Sequence, residues 1–198
     1  MTTIVVGGHS RNVGKTSVVA AILSSWAHLQ WTALKVSPHR HAGNACAPEP
    51  HPPDFCSIEE EFDRGSGKDT GRYLAAGAAR SFWVRIEEGR LQEAIPRLTP
   101  VLHSSPNAII ESTSIVQYIR PDLFLMVLRC GADDSKVSAR THLARADAVV
   151  AVHRGTAVPR WRDLPGGVPE GTPVFPVQDP QTMPPGLEEF LRRHLGGV

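Results

Sequence analysis

"TTIVVGGHSRNVGKTSVVAAILSSW", residues 2–26, decides the fold. It reads as an apolar strand at 3–7, a short polar loop, and Gly-Lys-Thr opening a helix over 15–29. A strand that runs through such a loop into a helix gathers backbone N–H groups and the positive end of the helix at one point, where an anion binds. Lysine in that place neutralises the outer phosphates of a nucleotide, and a Ser or Thr hydroxyl ligates magnesium. Gly14, Lys15, Thr16 and Ser17 stand in those positions. The usual spacing, GxxxxGK[ST], would put the first glycine at position 9, which is His9. The nearest glycine is Gly8, so the loop is one residue longer: G-HSRNV-GKT. The candidate nucleotide-binding residues are Gly8, Arg11, Asn12, Val13, Gly14, Lys15, Thr16 and Ser17. Lys15 and the backbone from Asn12 to Ser17 are expected on the β and γ phosphates, and Thr16 on Mg²⁺.

Working outward, apolar runs of strand length recur at 31–37, 81–86, 107–112, 122–129, 147–152 and 172–177. They are nearly unbroken and rich in β-branched residues, the pattern of strands covered on both faces. Helical patterns lie between them, at roughly 69–79, 88–103, 135–145 and 184–195. The alternation argues an open, mostly parallel α/β sheet, and together with the opening loop it predicts a three-layer α/β P-loop NTPase fold, a mostly parallel central sheet with helices on both faces. In the last helix, Leu187, Phe190, Leu191 and Leu195 share one face. Residues 38–68 break the rhythm with a long run rich in Pro, His and acidic side chains, and 155–171 form a second loose region.

The chain of 198 residues is expected to be one domain. Lys plus Arg number 21 against 20 Asp plus Glu, a formal charge of +1, which offers nothing to nucleic acid or an anionic membrane surface. No apolar run approaches the ~20 residues of a membrane span. The opening strand pattern lacks a basic start or a cleavage site, so no secretory signal is expected. Three cysteines, Cys46, Cys56 and Cys130, do not make a disulfide framework, and a cytoplasmic location is the natural expectation.

Other residues carry chemistry. The strand "NAIIES" ends in Glu111, where an acidic side chain can hold magnesium through water. Glu111 or Asp69 is expected to position that water, so the catalytic set is Lys15, Asp69 and Glu111, with Thr16 and Glu111 on the metal. The stretch after residue 38 concentrates His39, His41, His51, Cys46 and Cys56, ligand types for zinc or nickel without a recognised spacing, or else a polar lid facing substrate. Cys130 reads as a small apolar residue, and Trp26, Trp31, Phe82 and Trp83 as core. No Asn-Lys-x-Asp guanine signature follows "DAVVAV", where His153, Arg154, Gly155 and Thr156 stand.

Two resemblances sharpen this. The G-x5-GKT spacing resembles the loop of dethiobiotin synthetase and of the class that includes nitrogenase iron protein and signal-recognition GTPases. That implies Arg11 and Asn12 can reach the phosphates or a partner subunit, and that the protein forms a homodimer. "DRGSGKDTGRYLAAGAAR", residues 63–80, is similar to a segment of the molybdopterin-guanine dinucleotide biosynthesis B proteins. The matching residues are Gly67, Lys68, Asp69, Thr70, Arg72, Ala76, Gly77 and Ala78, joined by Lys35, His39 and His41 in "ALKVSPHRHAG". The match spans about the first 130 residues in order and spacing. "STSIVQYIRPD", after Glu111, departs from the ending of that family. The resemblance implies a GTP-binding adaptor with slow hydrolysis and a partner enzyme of molybdenum-cofactor maturation; the missing base signature leaves ATP open. The long loop instead favours an ATP-dependent small-molecule synthetase using Lys35, and the His/Cys stretch a metal-insertion GTPase.

Overall fold

A computed structural model describes residues 1–39, 54–130, 141–155 and 168–195. In chain order the elements are β1 (Thr2–Gly8), α1 (Lys15–Ser25), β2 (Trp31–His39), β3 (Cys56–Glu61), α2 (Asp69–Ala75), β4 (Arg80–Glu87) and α3 (Leu91–His103). They continue with β5 (Asn107–Glu111), β6 (Leu123–Arg129), β7 (Ala148–Val152), β8 (Val174–Val177) and α4 (Leu187–His194). Single 3₁₀ turns follow α1 and β5, at Ala27–Leu29 and Ile115–Gln117.

The described strands form one sheet in the order β3-β4-β2-β5-β1-β6-β7-β8. All neighbours run parallel except β3, which is antiparallel to β4. Successive side chains of β1 explain the unbroken apolar runs. Ile4 and Val6 enter a core beneath α1 and α4 with Val18, Ile22, Leu187 and Leu191, while Val5 enters a second core with Leu98, Ile110 and Met126 on the α3 side. A strand covered on both faces has no polar face to show. In α3, Ala94, Leu98 and Leu102 recur at a four-residue spacing and are buried, whereas Pro96 and Pro100, which donate no N–H, are exposed.

The segment 38–68 is not one long connection. β2 continues to His39, and Cys56–Glu61 is a strand. "CSIEEE" hides that strand because three successive glutamates are poor strand formers in isolation. Arginines on β4 offset them: Arg80 pairs with Glu60 at 2.7 Å, and Arg85 pairs with Glu59. Cys56, a candidate ligand by sequence, is fully buried against the α3-side core, and burial pushes its thiol up. It packs there as a small apolar group. His41, Cys46 and His51 lie outside the described residues, as do most of the 135–145 helix and of the 155–171 region; residues 141–143 are helical.

Trp26, Trp31 and Phe82 are buried as expected. Trp83 differs: it is half-buried, its indole N–H donates to Ser37 Oγ at 3.4 Å, and the Arg85 guanidinium lies 5.0 Å over its ring. The strand alternation puts it on the same face as Lys35, its register partner.

Candidate functional site

The loop between β1 and α1 closes on itself around Gly8. A methyl group there would stand 2.8 Å from Val13 Cγ2 and 2.9 Å from the Lys15 side chain. Only a glycine permits that approach. Val13 turns inward into the first core, and Asn12 and Gly14 take left-handed backbone, with φ of 57° and 108°. Lys15 reaches back across the loop, its Nζ donating to the Ser10 carbonyl at 2.8 Å. The helix proper begins with the bond from the Val18 N–H to the Gly14 carbonyl, 2.9 Å. Among the described residues no side chain caps α1, and its first turn holds no acidic group. Its leading N–H groups and positive end are therefore available to an external anion.

Sheet order fixes what lies beside the loop. β5 sits between β1 and β2, and its last residue, Glu111, is in register with Val6 on one side and Lys35 on the other. The Glu111 carboxylate is only 4% exposed and is fully engaged. Oε2 accepts from the Thr16 hydroxyl at 2.7 Å and from the Tyr73 phenol, and Oε1 accepts from Lys35 Nζ at 2.9 Å. Lys35 also bonds Asp69 and lies 3.4 Å from Thr16 Oγ1. Asp69 opens α2, and one turn on, Arg72 lies 3.6 Å from its other oxygen and donates to Ser17 Oγ at 3.2 Å. α2 thus carries three side chains into the cluster: Asp69, Arg72 and Tyr73, with Tyr73 following Asp69 by one helical turn.

These environments set protonation. Burial acts against the Lys35 ammonium, but Glu111 and Asp69 together outweigh it and hold its pKa above the ordinary lysine value. Burial, then the neighbouring Glu111 charge, holds the Tyr73 phenol well above its ordinary value. The phenol therefore stays a donor.

The cluster floors a cleft of about 1340 Å³. One end is lined by the loop between β1 and α1, Arg129 and Pro180; the other runs past Lys35 to Ser37, His39 and Glu87. All the loop candidates but the buried Val13 line it: Gly8, Arg11, Asn12, Gly14, Lys15, Thr16 and Ser17. Asp69, Glu111 and Lys35 line the same space. Where a guanine signature would stand, His153 is buried, its Nδ1 donating to the Gly155 carbonyl at 2.9 Å.

Three contributors escape a reading of the sequence. Tyr73 lies inside the motif at 63–80, yet only the fold shows that it reaches Glu111. Thr113, after β5, is bonded to Gly8 through both its hydroxyl roles. Arg129, at the end of β6, donates its backbone N–H to Nδ1 of His9 at 3.4 Å, and its Nε is buried without a partner among the described residues. An isolated Thr or Arg at a strand end leaves no spacing pattern to detect.

The chain matches no protein-family profile and no curated protein sequence. Among solved structures it is similar to LpxK from Aquifex aeolicus in complex with ATP, at 17% identity over 96% of this chain, with a TM-score of 0.49. The chain spans 60% of that protein's length. It is also similar to HypB from Helicobacter pylori in complex with nickel, at 17% identity over 98% of this chain and 86% of that one, TM-score 0.47. A third similar structure is the MinC:MinD cell division protein complex from Aquifex aeolicus, at 11% identity over 98% of this chain and 86% of that chain, TM-score 0.42.

Proposed function

We propose that the cleft binds a nucleoside triphosphate with Mg²⁺. One observation carries this reading: the Thr16 hydroxyl, in the first turn of an uncapped helix, is bonded to the buried Glu111 at the end of the adjacent strand. A hydroxyl and carboxylates are the oxygen donors a hard divalent cation takes, so the residues present fit magnesium. When bound, the metal neutralises charge on the phosphates. On this reading Lys15 and the backbone from Asn12 to Ser17 hold the β and γ phosphates, and Thr16 is the protein's direct ligand to the metal. Glu111, with Asp69 beside it, orients the water around the metal. Lys15, Asp69 and Glu111 then form the catalytic group of a slow NTPase, which needs little beyond positioning and charge.

The finer reading is a GTP-binding adaptor in molybdopterin-guanine dinucleotide maturation, a cytoplasmic homodimer working with a partner enzyme. Its support is the similarity of residues 67–78 to that family together with their location, since Asp69 and Arg72 both line the cleft. A second reading has a specific observation behind it. The cleft continues beyond Lys35 to His39 and Glu87, leaving room for a small acceptor, as an ATP-dependent synthetase requires.

Titration calorimetry of GTP and of ATP, each with Mg²⁺, tests the reading. Tight GTP binding with very slow hydrolysis supports the adaptor. Preference for ATP, with ADP formation dependent on one metabolite, supports the synthetase. Stoichiometric zinc or nickel in the purified protein turns the reading to a metal-insertion GTPase. Binding of neither nucleotide overturns the assignment of the loop.

A further inference from the structure

The Lys35 ammonium stands among the oxygens assigned above to the magnesium complex. It donates to Glu111 Oε1 at 2.9 Å, bonds Asp69 Oδ2, and lies 3.4 Å from Thr16 Oγ1. In the structure this one cation bridges two carboxylates, of which Glu111 is buried and would otherwise be uncompensated on this side. A divalent ion on Thr16 would place a second positive centre beside the ammonium, and like charges a few ångströms apart in a half-buried site repel strongly. The lysine has somewhere to go. Its side chain is 21% exposed, its four-carbon stem is flexible, and it borders the open cleft between the phosphate loop and the end near His39.

We propose that Lys35 is a resident counter-ion that keeps bare Mg²⁺ out of the site and yields only when metal and nucleotide arrive together. The inference rests on the nucleotide reading above. The phosphates bring enough negative charge to satisfy the metal and the released ammonium at once, which the metal alone cannot do. Lys35 then swings from the carboxylates towards the terminal phosphate. Metal and nucleotide binding become thermodynamically coupled through one side chain, each raising the affinity for the other. Asp69, on this view, parks two cations, Lys35 and Arg72, on the floor of the cleft.

The test uses Mn²⁺ as the probe, measured by electron paramagnetic resonance on nucleotide-free protein. Wild type is expected to bind Mn²⁺ weakly, and Lys35→Met to bind it about tenfold tighter or more, because two carboxylates lose their cation. Lys35→Arg, which keeps the charge, should behave as wild type. Equal Mn²⁺ affinity in wild type and Lys35→Met overturns the proposal. A second measurement does not depend on the variant folding. With wild-type lysines reductively ¹³C-methylated, the Lys35 resonance should move on adding Mg²⁺ with nucleotide and stay in place on adding Mg²⁺ alone. A resonance that moves equally with Mg²⁺ alone, or in neither case, also overturns it. The Mn²⁺ comparison contains no nucleotide, so its failure is distinct from failure of the nucleotide reading, which calorimetry decides.

Discussion

Gly8 and Thr113 are tied by a reciprocal pair of hydrogen bonds. The Gly8 N–H donates to Thr113 Oγ1 at 2.9 Å, and the same hydroxyl donates to the Gly8 carbonyl at 3.0 Å. Gly8, where the loop between β1 and α1 begins, is thereby fastened to the segment following β5, so the loop and Glu111 share one support. Thr113→Val keeps the shape and removes both bonds. It should lower stability by about 1–3 kcal/mol, since the Gly8 backbone groups lose their partner. Nucleotide affinity should fall with it. Urea unfolding and calorimetry check the two effects; a variant unchanged in both would show that the tie does not hold the loop.

Lys15→Ala separates ligand binding from folding. The Lys15 ammonium donates to a loop carbonyl, and the residue lines the cleft. Triphosphate affinity should drop by roughly a hundredfold or more with the loss of a charged donor to phosphate, while the circular dichroism spectrum and melting temperature stay close to wild type. Undiminished binding would remove Lys15 from the site.

Gly8→Ala probes the loop's closure. The new methyl would press on Val13, itself buried in the first core, and on the Lys15 stem. Overpacking of this kind costs about 1–3 kcal/mol. A lowered denaturant midpoint together with weakened nucleotide binding is expected. An alanine variant with wild-type binding would mean that the loop opens without effect on the ligand.

Tyr73→Phe bears on the alkaline limit of stability. The folded protein holds the phenolic proton well above the pH at which an unfolded tyrosine releases it, about 10. Above that pH the folded state binds more protons than the unfolded one, so stability is full below pH 10 and falls as pH rises, by up to about 1.4 kcal/mol per pH unit for one proton. Lys35, also raised, contributes with the same sign. Phenylalanine removes the tyrosine share. Unfolding in EDTA at pH 9, 10 and 11 should show a shallower alkaline decline for the variant, alongside a loss below pH 10 from the missing donor to Glu111. An equally steep decline would assign the alkaline loss to other groups.

Much of this architecture is legible in the chain, for physical reasons. Strands buried on two faces carry their own signature, and β1, β5, β6 and β7 show it directly. The loop from Gly8 to Ser17 is local, so its spacing survives in the sequence. β3 is not legible because its glutamates are stabilised by Arg80 and Arg85, partners that arrive from twenty or more residues away. The same holds within the site. Asp69 and Glu111 stand out as acids after recognisable patterns, but the meeting of Tyr73, Lys35 and Thr16 on one carboxylate is a product of strand order. Trp83 misleads because its aromatic bulk suggests core, whereas the half-open sheet face beside Lys35 lets Arg85 stack on it.

The antiparallel run of β3 has a consequence for how this chain can vary. His39, closing β2, accepts from the Glu88 N–H at 3.0 Å, and Phe55, just ahead of β3, accepts from the Glu87 N–H at 2.8 Å. The stretch joining them therefore departs and returns on either side of one strand, a gap of about 10 Å or two strand spacings. Insertions or deletions there leave the pairing of every described strand intact, and lengthening adds closure entropy only logarithmically. The strand order and the loop from Gly8 to Ser17 can stay constant while that one interval changes in length.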